Sequence, residues 1–165
     1  MKLFLTDLDA TLTDGTDSVS SKDGTITKRF HTRDFVGMRQ LHEKGIRVAI
    51  VTGWPRDAII QYQFERTQPW ADLLCGVDDK LTAIKETYPD IDLEDIAFIG
   101  DDTNDLELLK AVGVASCPSD AHEKVLQYIR ERSDNFICDA KGGHGCVREF
   151  ADYVLDIVYN SAEEK

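Results

Sequence analysis

The sequence has no excess of basic residues, no long hydrophobic run and no signal-peptide pattern. Its 19 lysines and arginines are outnumbered by 31 aspartates and glutamates, which gives a net charge of −12. A surface that binds nucleic acid or an anionic membrane needs clustered Lys and Arg, so we expect neither partner. No apolar stretch approaches the roughly 20 residues of a membrane span, and the N-terminus lacks a long apolar segment. These absences predict a cytoplasmic protein.

Metal-binding cysteine motifs are also missing. The four cysteines form no CxxC pair and no spacing typical of a zinc site; they are Cys75, Cys117, Cys138 and Cys146. We expect free and mostly buried thiols in a reducing compartment.

What the sequence does contain is an alternation of short apolar runs with helix-periodic segments over its 165 residues. This alternation is typical of an α/β fold with a largely parallel central sheet flanked by helices. The segment 16–31 has β-branched residues on both sides of a Lys-Asp-Gly turn and predicts a hairpin. No repeat or linker divides the chain, so we expect one domain, residues 1–165. The runs predicted as strands are KLFLTD, IRVAIVTG, ADLLCG, DIAFIGDD and VASC.

The helices are predicted from capping residues and apolar spacing. Asp34 is predicted to cap a helix that ends at Gly45, and Pro55 to open a helix that runs to about Thr67. Further helices are predicted over the segments 78–88, 104–113, 120–132 and 146–159.

Polar side chains stand where three of the predicted strands end. Asp7 and Asp9 follow the first strand, Thr52 follows the second, and Asp101 follows the strand AFIG. Ligands of open parallel sheets bind beyond the carboxyl ends of the strands, so these residues are expected at one edge. Lys80, at the start of a predicted helix, can reach the same edge. Converging carboxylates indicate a bound hard cation, and ligands that are all oxygen favour Mg²⁺ over Zn²⁺.

This set of groups suits phosphoryl transfer. One carboxylate can attack phosphorus, and a second can protonate the leaving oxygen and later deprotonate water. Mg²⁺ and a lysine offset the repulsion between an anionic nucleophile and a phosphate dianion.

Four features of the sequence resemble, in the same order, the four motifs of the haloacid dehalogenase superfamily of phosphohydrolases. They are DLDATLTDG, VTG, Lys80 and GDDTND. Response-regulator receivers use similar residues but place the lysine last. The resemblance implies a Rossmann-like fold, with Asp7 as the nucleophile and Asp9 as the acid/base. It implies that Mg²⁺ is held by Asp7, the backbone carbonyl of Asp9, and Asp101. It also implies phosphate binding by Thr52, Gly53 and Lys80, and a second shell or an extra ligand from Asp102 and Asp105.

Short gaps between the motifs narrow the resemblance. Only 38 residues separate Thr13 from Thr52, and only 27 separate Thr52 from Lys80, so neither gap holds a cap domain. The whole pattern resembles the cap-less group that contains phosphatases of 3-deoxy-D-manno-octulosonate 8-phosphate and of nine-carbon ulosonic acid 9-phosphates. That group implies a homotetramer in which a neighbour's hairpin closes each site. The substrate-binding residues it implies are Thr11, Thr13, Thr32, Arg33, Trp54, Lys141 and Arg148.

Two residues depart from the pattern of this group. Trp54 stands where Arg or Glu is common and cannot make a charged contact, and Ala10 stands where Gly is usual. The identity of the sugar therefore stays open. The alternatives are a phosphatase of another sugar phosphate or of a macromolecule, and a non-catalytic oligomerising relative. His31 and His144 are more typical of loop residues than of metal ligands.

Overall fold

Six parallel strands form one sheet in the computed structural model, which describes residues 1–66 and 68–163. The spatial order of the strands is β5-β4-β1-β6-β7-β8. This doubly wound arrangement confirms the predicted α/β fold. The strands are β1 (Leu3–Thr6), β4 (Arg47–Val51), β5 (Asp72–Leu74), β6 (Ile96–Ile99), β7 (Val114–Cys117) and β8 (Phe136–Ile137).

The central position of β1 follows from its composition. Leu3, Phe4 and Leu5 are completely buried, as expected for a strand covered on both faces. β1 pairs with β4 on one side and with β6 on the other, so that Thr6 lies beside Ile50 and Ile99. The three strands therefore end at the same level.

Two layers of helices cover the sheet. α1 (Thr32–Glu43) and α6 (Cys146–Glu163) pack on the face to which Phe4 points, whereas α3 (Lys80–Thr87), α4 (Leu106–Ala111) and α5 (Glu123–Arg130) pack on the face of Leu3 and Leu5. Successive strand residues point to opposite faces, and each layer has its own apolar core.

A small hairpin lies outside the sheet. β2 (Ser18–Val19) pairs antiparallel with β3 (Ile26–Thr27), and a bridge between Thr13 and Phe30 ties the base of the hairpin to the segment after β1. Among the described residues, the segments between β1 and β4 and between β4 and α3 contain no cap domain. Both predictions, the hairpin and the absence of a cap, are confirmed.

Several predicted helix boundaries are wrong. Asp34 is not the N-cap of α1, because that helix already begins at Thr32 with His31 as its cap. Pro55 does not open its helix: α2 spans only Ala58–Ile60 and continues as a π-helix over Gln61–Arg66. Thr67, the predicted end of that helix, lies outside the described residues.

One strand was missed, and other predicted helices differ in length. β8 lies in the segment NFICDAKGGHG, for which no strand was predicted. It has only two residues, too few to display a hydrophobic period. α3 and α5 are shorter than predicted and α6 is longer. In place of the helix predicted over 104–113, the structure has a 3₁₀ turn, Thr103–Asp105, followed by α4.

The prediction that the cysteines are free and mostly buried is confirmed. All four thiols are free, three of them are buried, and Cys75 is half-buried. Within the described part of the chain, we find no helix with the length and hydrophobicity that a bilayer crossing requires.

Asp34, which was predicted to be a helix cap, links α1 to α6 on one face of the sheet. Its side chain is completely buried, and its Oδ1 accepts a hydrogen bond of 2.8 Å from the backbone N–H of Arg148 in the first turn of α6. Free N–H groups at a helix start favour such an acceptor. Its Oδ2 has no hydrogen-bond partner among the described residues. Burial raises the pKa of Asp34 from 3.8 to about 7.

We expect Asp34→Asn to stabilise the protein at neutral pH but not at acidic pH. Between pH 3.8 and about pH 7, the folded chain binds a proton at Asp34 that the unfolded chain does not bind. The stability that the wild-type protein gains from this extra proton is therefore full below pH 3.8 and is lost as the pH rises to about 7. The advantage of the variant should grow from near zero at about pH 4 to at most about 4 kcal/mol above about pH 7.

Urea unfolding of both proteins across this pH range measures the effect. Asp90→Asn, at an exposed site, controls for the loss of a carboxylate. An advantage of Asp34→Asn that does not change with pH would contradict the prediction.

Candidate active site

The carboxyl ends of β1, β4 and β6 bring three predicted site residues to one edge of the sheet. Asp7 follows β1, Thr52 follows β4, and Asp101 follows β6 after one glycine. Because β1 is hydrogen-bonded to both other strands, the three residues lie side by side. The structure thus brings these three residues together at the predicted edge of the sheet.

Lys80 reaches into this edge from the first position of α3. Its ammonium lies 2.6 Å from Oδ1 of Asp7 and 2.6 Å from Oδ1 of Asp105, and its side chain is 1% exposed. The preceding residue, Asp79, caps α3 by accepting a hydrogen bond from the N–H of Thr82. The cap fixes where α3 begins and therefore where the lysine enters the site.

Asp105 holds the loop after β6. It is completely buried, its Oδ2 accepts hydrogen bonds from the N–H groups of Asp101 and Asp102, and its Oδ1 accepts from Lys80. A Cβ at Gly100 would lie 2.6 Å from this carboxyl group, so only glycine fits there. Both oxygens of Asp105 are thus used within the protein. Asp102 caps the 3₁₀ turn that follows.

The site carries more negative charge than its lysine balances. Burial raises the pKa of Asp7 well above its usual 3.8, and the nearby charge of Asp105 acts in the same direction. Burial likewise raises the pKa of Asp101 to about 7, again with a contribution from Asp105. Three carboxylates face one ammonium, and this imbalance favours a bound cation.

The donor set fits a hard divalent ion. Oxygen atoms of Asp7, Asp101 and Asp105 lie within 4.8 Å of one another. Because both oxygens of Asp105 already accept hydrogen bonds, Asp7 and Asp101 are the carboxylates that can bind a metal ion. Ligands that are all oxygen suit Mg²⁺.

Asp9 stands apart from this cluster and has a different partner. Its side chain is 36% exposed, and its Oδ1 accepts hydrogen bonds from Nζ of Lys28 at 2.5 Å and from Oγ1 of Thr13 at 3.4 Å. Lys28 was not among the predicted site residues. A single lysine in a hairpin gives no local signal, since its partner lies 19 residues away.

Thr11 and Thr13, which were predicted to bind substrate, are completely buried. Oγ1 of Thr11 donates a hydrogen bond of 3.3 Å to Oδ1 of Asp101, as Thr13 does to Asp9. Their hydroxyls orient the carboxylates instead of facing solvent.

The loop that carries these threonines is braced by the segment before α6. Ala10 has a φ of 57°, a left-handed conformation that costs a non-glycine residue about 1 kcal/mol. A Cβ at Gly142 would lie 1.8 Å from the carbonyl oxygen of Ala10, and the N–H of Gly143 donates to the carbonyl of Thr11 at 2.8 Å. The left-handed φ explains why glycine suits position 10.

Thr52 and Gly53 lie at the end of β4. The hydroxyl oxygen of Thr52 accepts a hydrogen bond from the N–H of Trp54 at 3.0 Å, so its proton can be donated to a ligand. Its backbone N–H, also expected to bind phosphate, instead donates to the carbonyl of Leu74. Gly53 is exposed. The indole of Trp54 is half-buried and donates to Asp57 at 2.7 Å.

The other predicted substrate residues have no described hydrogen bond or ion pair with the aspartates of the site. Thr32 and Arg33 are exposed at the start of α1, and Lys141 is exposed in the loop before α6. Arg148 pairs with Asp152 one turn further along α6. His144 contacts the carbonyl of Gly142 in its own loop. His31 caps α1, and its buried Nδ1 has no described partner.

Comparison with known proteins identifies the class to which this fold and site belong. A family profile described as haloacid dehalogenase-like hydrolase matches residues 68–135. The 3-deoxy-D-manno-octulosonate 8-phosphate phosphatase KdsC of Yersinia pestis is 32% identical over 157 residues, which cover 94% of this chain and 80% of the relative. The chain therefore belongs to the haloacid dehalogenase-like hydrolases and is a phosphatase of that family. Its relatives include 3-deoxy-D-manno-octulosonate 8-phosphate phosphatases of several bacteria.

Solved structures agree with this placement. The Moraxella catarrhalis 3-deoxy-D-manno-octulosonate 8-phosphate phosphatase, in complex with magnesium, phosphate and KDO, matches with a TM-score of 0.83 and 34% identity. The match covers 94% of this chain and 86% of that one. The cobalt-bound Haemophilus influenzae phosphatase matches with a TM-score of 0.81 and 28% identity, over 94% and 88% of the two chains.

We expect Lys80→Met to destabilise the protein strongly in the absence of divalent cations. The substitution leaves the carboxylates of Asp7 and Asp105 buried without a counter-charge, which costs about 3–5 kcal/mol. Urea unfolding measures the loss. The control is Lys110→Met, which removes an exposed ammonium paired with Glu107 and should cost about 0–1 kcal/mol. Equal losses in the two variants would contradict the prediction.

Proposed function

We propose that this protein hydrolyses phosphomonoesters with the help of Mg²⁺ and through a phosphorylated Asp7. The observation that carries this proposal is the convergence of Asp7, Asp101 and the ammonium of Lys80 at the carboxyl edge of the sheet. A nucleophile, a metal-binding carboxylate and a fixed positive charge are the groups that phosphoryl transfer to a carboxylate requires.

Asp7 is the proposed nucleophile. Lys80 binds its Oδ1, so the other carboxylate oxygen is the one that attacks phosphorus. Attack forms a bond from this oxygen to phosphorus as the bond from phosphorus to the ester oxygen breaks. The buried lysine holds the carboxylate in one orientation and attracts the phosphate dianion. Water then attacks the aspartyl-phosphate and releases inorganic phosphate.

Asp7, Asp101 and the backbone carbonyl of Asp9 are the proposed ligands of Mg²⁺. When bound, the ion offsets the negative charge of the phosphoryl group and of the nucleophile. The donors found at this edge fit it, because the free carboxylates there outnumber the cations. Magnesium in the Moraxella catarrhalis relative and cobalt in the Haemophilus influenzae relative support a divalent ion.

Asp9 is the proposed general acid and base. Its partly exposed carboxyl group can give a proton to the departing ester oxygen and take one from the water that attacks the intermediate. The hydroxyl of Thr52 and the ammonium of Lys80 are the proposed phosphate ligands, together with Gly53. Asp102 and Asp105 are assigned to the second shell, where Asp105 positions Asp101 and Lys80.

The proposed substrate is a phosphorylated ulosonic acid, of the eight-carbon 8-phosphate or nine-carbon 9-phosphate type. The names of the relatives and the KDO bound to the Moraxella catarrhalis phosphatase support this substrate class. We further propose that the chain acts as one domain in a homotetramer, in which the hairpin of a neighbour covers each site. Thr32 and Arg33 would then come from the neighbour, and Lys141 and Arg148 would lie near the sugar acid.

We expect Asp7→Asn to abolish phosphate release, with a loss of at least about a thousandfold, because no nucleophile remains. Asp9→Asn should lower turnover by about 10²–10⁴-fold while Mg²⁺ affinity is largely kept, because its carbonyl is unchanged. Phosphate release from ulosonic acid phosphates, hexose phosphates and p-nitrophenyl phosphate is measured with Mg²⁺ present. A wild type as inactive as Asp7→Asn would reject the proposed function and favour a non-catalytic role.

We expect Mg²⁺ to stabilise the folded protein. At about 100 times its dissociation constant, the ion should raise the free energy of unfolding by about 2.7 kcal/mol. Asp101→Asn should lose most of this gain, whereas Asp134→Asn, at an exposed position, should keep it. Thermal unfolding with and without Mg²⁺ measures the difference. The prediction fails if the gain is the same in all three proteins.

A further inference from the structure

Lys28 is a buried cation in an otherwise exposed hairpin. It follows β3 directly, and its side chain is only 2% exposed although its neighbours Thr27 and Arg29 are exposed. Burial of an ammonium is costly unless it is paired. Three groups compensate this one: Oδ1 of Asp9 at 2.5 Å, Oδ1 of Asp17 at 2.7 Å and the ring of Trp54, whose centroid lies 3.8 Å from Nζ.

The ring face of Trp54 lies against this ammonium. An aromatic face attracts a cation that lies within about 6 Å of its centroid. The indole cannot turn freely, since its N–H donates to Asp57 at 2.7 Å. Asp57 is fixed in turn, because its other oxygen accepts from the N–H groups of Ile59 and Ile60. The position of Lys28 is therefore set from the end of β4 as well as from the hairpin.

We propose that Lys28 is a positioning residue that aligns the carboxyl group of Asp9 for catalysis, and that Trp54 holds Lys28 in place. This inference rests on the proposed acid/base role of Asp9. Lys28 and Thr13 both bind Oδ1 of Asp9, so this oxygen is fixed and the other is left to exchange a proton with the substrate. An acid that is misplaced by about 1 Å can lose about a hundredfold in rate.

The contacts argue against direct binding of the substrate by Lys28. Its ammonium already faces two carboxylates and an aromatic ring, so each of its three N–H groups has a partner, whereas the ammonium of Lys80 contacts two carboxylates and keeps one N–H for a ligand. Trp54 accordingly acts behind the lysine. It holds a cation of the hairpin in place and does not need to make a charged contact with the sugar itself.

The kinetic test uses leaving groups of different quality. A sugar alkoxide needs protonation as it leaves, whereas p-nitrophenolate does not, so loss of an aligned acid affects the first substrate more. We expect Lys28→Met to lower kcat/KM about a hundredfold for the best ulosonic acid phosphate, but less than about fivefold for p-nitrophenyl phosphate. Lys28→Arg and Trp54→Phe should retain part of the activity, and Trp54→Leu should resemble Lys28→Met.

Lys110→Met is the matched control, because it removes an exposed lysine that is paired with a carboxylate but lies outside the hairpin, and it should change the rate with neither substrate. A fall of equal size for both substrates, or no fall for either, would overturn the positioning role. So would a rise in KM confined to substrates with a carboxylate, since that result would assign Lys28 to substrate binding.

A second measurement does not depend on activity. The losses of unfolding stability in Lys28→Met and Asp9→Asn should not add in the double variant, because both remove the same ion pair. Additive losses would overturn the proposed contact even if the enzyme is active. Non-additive losses in a protein with no phosphatase activity would keep the contact but reject both the proposed function and the role built on it.

Discussion

The site depends on one buried ammonium shared by two carboxylates. Lys80 joins Asp7, after β1, to Asp105, at the start of α4, and both contacts are 2.6 Å long. Such an arrangement adds little net stability, since desolvation of the charges offsets their attraction, but any other arrangement of these three side chains costs much more. The ion pairs therefore fix one geometry for the carboxylate of Asp7.

Around this centre, hydrogen bonds from neighbouring groups orient Asp101 and Asp9. Asp105 holds the backbone of Asp101, and Thr11 contacts its side chain, while Lys28 and Thr13 hold the separate Asp9. Asp7, which contacts Lys80, and Asp9, which contacts the hairpin, are thus held in place by different groups. This separation suits a reaction in which one group forms a bond to phosphorus and the other moves protons.

The part of the site that lies on the sheet could be predicted from the sequence, and the part that depends on distant contacts could not. Asp7, Thr52 and Asp101 each follow an apolar run, and in a parallel sheet all such runs end at the same edge. Lys28 gave no signal, because its position depends on how the hairpin folds back. Asp34 was taken for a local cap because its partner lies 114 residues away.

The brace on the catalytic loop comes from late in the chain. Gly142 and Gly143 press against the backbone of Ala10 and Thr11, more than 130 residues earlier in the sequence. During synthesis, the N-terminal loop is therefore made long before the residues that hold it. A nascent chain that has released β1, β4 and β6 can form the middle of the sheet, but the loop that follows β1 lacks its brace until Gly142 and Gly143 have also left the ribosome. The geometry of this loop is consequently completed after the strands beside it have been made.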